Sequence, residues 1–168
     1  MRKSTFYALL LAASLGTIGG LALSAYLFDD NNKHVRNIRI NASQDPVSDK
    51  LQFNNLSLYP GDKTTYEMNT FFETSGLYDA KIVFTEQEDG GLKNYVVATL
   101  TADGEIIYKG SLKQLLGTTQ WFELTPQKDE TVNISLVYEM PLDVQNEAQG
   151  TYATFDAELT VGRDLKKE

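Results

Sequence analysis

From residue 151 to 161 the side chains alternate: Ala153, Phe155, Ala157, Leu159 and Val161 are apolar, while Tyr152, Thr154, Asp156, Glu158 and Thr160 between them are polar. A period of two belongs to an extended strand, whose successive side chains leave opposite faces. The pattern recurs. Residues 131–139 place Val132, Ile134, Leu136 and Tyr138 on one face, 64–72 set Tyr66, Met68, Thr70 and Phe72 against a more polar face, and 79–85 align Ala80, Ile82 and Phe84. Segments 51–58, 94–101, 105–109 and 120–124 bring the total to seven or eight short strands. Turn residues fall between them. Pro60-Gly61 presets one turn, and Asp103-Gly104 between two alternating segments is the strongest hairpin signal in the chain. The acidic run Glu86-Gln87-Glu88-Asp89 before Gly90-Gly91 is expected to end the strand that starts at Asp79. Residues 111–116 form the one helical stretch, with Ser111 as cap, Leu112, Leu115 and Leu116 on one face and Gly117 at its end. Strands at this spacing, each with one wet face, predict an antiparallel sandwich rather than a parallel α/β sheet.

Such a sandwich depends on its core alone, because the chain has no cysteine. That excludes disulfides, thiolate metal sites and cysteine nucleophiles. A hydrophobic share of 42% is too high for wholesale disorder and sufficient for a core. The formal charge is −8, and without the first 25 residues, which carry Arg2 and Lys3 but no acid, it becomes −10. No cluster of Lys and Arg offers a footprint for phosphates, so nucleic acid is not an expected partner.

The N-terminus combines Met1-Arg2-Lys3, an uncharged run over 6–28 and the small residues Ala22, Ser24 and Ala25, the pattern of a secretory signal. A retained anchor is the competing reading, since about 20 apolar residues cross a bilayer; Ser14, Gly16, Thr17, Gly19 and Gly20 make the run only moderately apolar and favour cleavage. The remainder faces the outside in both cases. The expected organisation is a signal peptide over 1–25, a polar arm over 26–50, a sandwich over 51–162 and a charged tail over 163–168. Membrane contact is expected only through an uncleaved signal, and signal peptidase only during export.

Chemistry-bearing constellations are sparse. His34 is the only histidine and lies in the polar run Asp29-Asp30-Asn31-Asn32-Lys33-His34, which reads as a solvated loop. Glu86, Glu88 and Asp89 lack the spacing of a calcium loop and read as solvated acids. Ser111 lacks the Gly-x-Ser-x-Gly setting of a nucleophile. Trp121 and Phe122 offer one aromatic for a sugar and one for the core, weak evidence for a carbohydrate site. No catalytic residue, metal or cofactor is expected.

Several motifs resemble, in order along the chain, the TasA and camelysin family of exported Gram-positive cell-surface and biofilm-matrix proteins. They are the Gly-rich signal ending at Gly19-Gly20-Leu21-Ala22-Leu23-Ser24-Ala25, the turn Leu58-Tyr59-Pro60-Gly61-Asp62, the step Tyr108-Lys109-Gly110-Ser111-Leu112, and Asn146-Glu147-Ala148-Gln149-Gly150 leading into the last strand. The resemblance implies an all-β fold, an antiparallel jelly-roll or Ig-like sandwich with one short helix behind a signal helix. It also implies secretion and assembly into matrix fibres in which one subunit's N-terminal strand completes the next subunit's sheet. Some family members carry a metallopeptidase label, but His-Glu-x-x-His is absent here and the activity is not carried over.

The mechanism expected on that basis is strand addition: an open sheet edge exposes unpaired N–H and C=O groups, and a neighbour's extended arm pairs with them. The arm would be 33–42, where Val35 alternates with the plugs Ile38 and Ile40. A head-to-tail contact of this kind grows as a filament. A flexible spacer after the signal is the plain alternative for the arm, and a monomeric extracellular ligand-binding or adhesion module is the alternative for the whole protein.

Overall fold

The computed structural model describes residues 32–41, 45–144 and 146–167, so the signal expected over 1–25 lies outside the described residues. The strands are β1 (Asn32–Ile40), β2 (Val47–Leu56), β3 (Lys63–Phe72), β4 (Tyr78–Gly90), β5 (Val97–Ala102), β6 (Glu105–Ser111), β7 (Thr119–Leu124), β8 (Glu130–Glu139) and β9 (Tyr152–Gly162), with a short helix α1 (Leu112–Leu115) after β6. One sheet has the order β1-β3-β8-β5-β6 and the other β2-β9-β4-β7.

The pairings nest. β5 pairs with β6, β4 with β7, β3 with β8 and β2 with β9, all antiparallel. The chain is therefore one long hairpin with its tip at Asp103-Gly104, and the further pairs β4–β9 and β5–β8 roll that hairpin into two sheets. This is a jelly roll. At the tip, Asp103 (φ 49°) and Gly104 (φ 82°) both adopt the left-handed conformation that a two-residue hairpin turn requires.

Alternation becomes core where the sheets face each other. Phe53 and Phe155, register partners on β2 and β9, stack at 4.4 Å, and Tyr138 from the opposite sheet meets them edge-on at 5.3 and 5.6 Å. The Tyr138 hydroxyl has no hydrogen-bond partner among the described residues, and burial pushes its pKa well above the ordinary tyrosine value. Ser111 caps α1 by accepting a hydrogen bond from the Gln114 amide at 3.3 Å, and Leu112 and Leu115 are fully buried. The tail expected over 163–168 is tied to the sheet, with Arg163 lying 5.1 Å over the Tyr78 ring and Lys166 paired with Glu123 at 2.9 Å.

Two local expectations are corrected. The acidic run does not end its strand: β4 continues to Gly90, matching Glu86 with Phe155 and Gly90 with Tyr152 around an irregularity at Gln87. The long β9 supplies a ladder that the local sequence does not reveal, while Lys93 holds Glu86 at 2.6 Å and Asp89 at 2.9 Å. His34 lies on β1 rather than in a loop, with its ring stacked on Tyr66 at 4.5 Å.

Candidate functional site

The expected assembly residues lie on β1, and the structure places β1 against its own domain. It borders the first sheet next to β3. Lys33 pairs with Glu67 at 2.9 Å and Arg39 with Glu73 at 2.7 Å, while the Glu73 amide donates to the Ile40 carbonyl. Residue numbers rise together along the two strands, so β1 runs parallel to β3, unlike the antiparallel pairs of the jelly roll. The arm was expected to be available to a sibling molecule; here it completes the sheet of its own chain. Pairing with a strand 34 residues further on depends on the three-dimensional closeness of β3, which no local pattern in β1 encodes.

The strand is anchored unevenly. Ile40 is 1% exposed and belongs to the core, Ile38 is partly buried against it, and Val35 is 50% exposed. Burying one Ile side chain contributes about 1.5–3 kcal/mol. The cations of β1 are matched one by one to carboxylates: Lys33 to Glu67, Arg36 to Asp49 of β2 at 2.9 Å, and Arg39 to Glu73, with Arg39 also 5.4 Å from the Phe71 ring. Each pair is solvent-exposed and worth roughly 0.2–1 kcal/mol. Ile40 therefore outweighs any single ion pair. That Lys33, Arg36 and Arg39 stand out in so acidic a chain is the signal that sequence reasoning missed.

Near its N-terminal end β1 separates from the second sheet and leaves a cleft of about 450 Å³, lined among others by His34, Arg36, Leu51, Gln52 and Tyr66. Leu51 gives it an apolar floor and the His34–Tyr66 stack an aromatic wall. Burial raises the Tyr66 pKa, and a hydrogen bond with Thr64 partly offsets the rise, so the phenol is a neutral hydrogen-bonding group. Arg36 closes one side by bridging to the other sheet. Such a space accommodates a small or extended ligand with one apolar or aromatic group and a few polar atoms. Among the described residues, no group of three or more His, Asp or Glu is placed to hold a metal ion.

The turn motifs lie elsewhere. In Pro60-Gly61-Asp62 the Asp62 carboxylate accepts from the Tyr59 amide at 2.9 Å, the Gly61 amide donates to the Met140 carbonyl at 2.8 Å, and the Met140 amide donates to the Asp62 carbonyl at 3.0 Å. Gly61 has φ 88°, and a Cβ there would meet Leu142 at 2.7 Å. Asn146, Glu147, Gln149 and Gly150 form a tight turn in which the Gln149 amide donates to the Asn146 carbonyl at 3.1 Å, the Gln149 side chain to the Asn146 side chain at 3.3 Å, and Gly150 takes φ 72°. These geometries set the β2–β3 and β8–β9 connections, apart from the β1 residues.

No family model matches the chain, and no curated protein matches it. The resemblance to the TasA and camelysin family therefore rests on the quoted motifs. Among solved structures, the chain is similar to the CUB1-EGF-CUB2 domains of rat MASP-1 (TM-score 0.43, 10% identity, 80% of this chain and 45% of that one). It thus spans under half the length of that structure. It is also similar to CorA, a surface-associated copper-binding protein of Methylomicrobium album BG8 (0.36, 7%, 77% and 98%), and to PliG, a periplasmic inhibitor of g-type lysozyme from Aeromonas hydrophila (0.34, 11%, 77% and 97%). Likenesses of this size carry nothing about ligand or partner.

Proposed function

We propose that the chain is an exported, non-catalytic β-sandwich module of the cell surface or extracellular matrix, working as a monomer that binds a ligand in the cleft at the β1–β2 border. The observation that carries this reading is the occupancy of the first sheet's border. Ile40, the expected plug for a neighbouring subunit, is 1% exposed within its own core, so the domain needs no sibling to complete it. The aromatic wall and apolar floor of the cleft support ligand binding there, and the signal pattern supports export. Sedimentation velocity and negative-stain electron microscopy of the exported chain, across acid to neutral pH and low to high salt, test the monomer. A single compact species is expected at every condition; filaments would overturn the reading.

A matrix fibre grown by strand exchange, as the family resemblance implies, is the second reading. One feature favours it: apart from Ile40 and Ile38, β1 is held by its ladder to β3 and by exposed ion pairs. Identical chains present identical carboxylates, so a strand leaving one domain fits the next, which is the geometry of domain swapping.

A further inference from the structure

The outer face of the β2-β9-β4-β7 sheet carries a crosswise row of side chains remote from the cleft. Ser48 is the register partner of Thr160, Thr160 of Lys81, and Lys81 of Trp121. At ~4.8 Å between strands the row is about 14 Å long. All four positions alternate with core residues and point outward: Val161, Ala80 and Phe122 beside them are buried, while Trp121 is 41% exposed at the β7 border. The Lys81 ammonium lies 5.3 Å from the indole centroid, and among the described residues Lys81 has no ion pair. The Ser48 and Thr160 hydroxyls share one hydrogen bond at 2.9 Å, which uses only one of their two protons. Glu158, next to this row and exposed, has no hydrogen bond or ion pair among the described residues.

The flanking charges, in contrast, are matched. Lys50 and Gln87 both hold Asp156, at 2.7 and 3.0 Å, and Lys166 spans Asp79 and Glu123. The face therefore presents one indole beside a line of uncommitted hydroxyl, ammonium and carboxylate groups. A protein partner would ask for a cluster of apolar anchors, and Trp121 has only the half-buried Val83 near it on this face. A polyanion is opposed by the net charge of −8. What remains complementary is a neutral ligand that alternates C–H faces, which stack on an aromatic ring, with hydroxyls that both donate and accept.

We propose that this row is a binding site for a neutral oligosaccharide, with one sugar ring stacked on Trp121 and its neighbours hydrogen-bonded to Lys81, Thr160, Ser48 and Glu158. The site is at the opposite border of the second sheet from the cleft, and it stands whether or not the cleft binds anything.

Trp121 is the only tryptophan, so its fluorescence reports on this site alone. The exported chain is titrated with cellohexaose, xylohexaose and chitohexaose, and with polygalacturonate as the charged comparison. At least one neutral sugar is expected to give a saturable blue shift, with a Kd on the order of millimolar. Thr160→Val and Glu158→Gln, which keep the reporter, each raise that Kd threefold or more. Trp121→Ala loses retention in native gels containing the matching polysaccharide, while its thermal melt stays that of the parent chain. Absence of a saturable shift with all three neutral sugars overturns the proposal. So does a Kd unmoved by both reporter-keeping variants, or binding of polygalacturonate alone.

Discussion

Replacing Ile40 by Ala asks whether β1 belongs to the cooperative domain. The substitution removes three carbon atoms from a side chain that is 1% exposed. At about 0.8 kcal/mol per buried carbon the transfer loss is roughly 2.4 kcal/mol, and incomplete collapse around the gap adds to it. A border strand relaxes more easily than a central one, so the total is expected at about 2–3 kcal/mol, near the lower end of the usual range for Ile→Ala. Val35→Ala, on the same strand at 50% exposure, is the control and is expected to stay within about 0.5 kcal/mol of the parent chain. Urea unfolding followed by circular dichroism reads both, with the slope of the transition checked for constancy. If Ile40→Ala also falls within about 0.5 kcal/mol of the parent, β1 contributes nothing to the folded domain and the reasoning about a self-completed sheet fails.

Three further outcomes follow from named contacts. Raising the salt concentration is expected to speed amide hydrogen exchange along Lys33–Arg39 of β1 while leaving β8 unchanged, because screening acts on the exposed pairs with Asp49, Glu67 and Glu73; equal acceleration of both strands would contradict this. The Lys93 ammonium, and behind it the Gly91 amide, hold the Asp89 carboxyl below its ordinary pKa. A pKa depressed in the folded state contributes stability at neutral pH that disappears as the pH falls through the folded value. Lys93→Met is therefore expected to move the Asp89 titration upward, as read by carbon NMR of its carboxyl, and an unmoved titration would refute the pairing. Gly90→Ala is expected to destabilise by about 1–3 kcal/mol in the same urea assay, because a Cβ there would meet the Tyr152 ring and carbonyl at 2.5 Å; a neutral result would mean that the β4–β9 contact is looser than described.

Much of the jelly roll is legible in the sequence because its signals are local. The alternation in β8 and β9, the paired left-handed residues at Asp103-Gly104 and the cap at Ser111 each lie within a few residues of the feature they specify. The parts that escape local reading depend on distant partners. Glu86–Gly90 is polar enough to be a loop, and it is a strand because Tyr152–Phe155 lies beside it. Residues 47–50 look like part of the polar arm, yet they pair with Glu158–Val161. β1 carries the apolar alternation of a donor strand, and its sequence is equally compatible with a groove in a sibling or in its own chain. What the sequence does contain, and what the pairing with Asp49, Glu67 and Glu73 makes readable, is a cationic strand in an anionic chain.

The central claim is that β1 completes its own sheet. The 34-residue offset of the two ion pairs places Asn37 beside Phe71, and neighbouring strands are separated by a distance a disulfide can bridge. The parent chain has no cysteine, so a chain carrying Asn37→Cys and Phe71→Cys, oxidised and run on a non-reducing gel, reports the partner of β1 without ambiguity. A single intramolecularly bridged monomer is expected; a ladder of disulfide-linked multimers would show that the strand belongs to the neighbouring molecule.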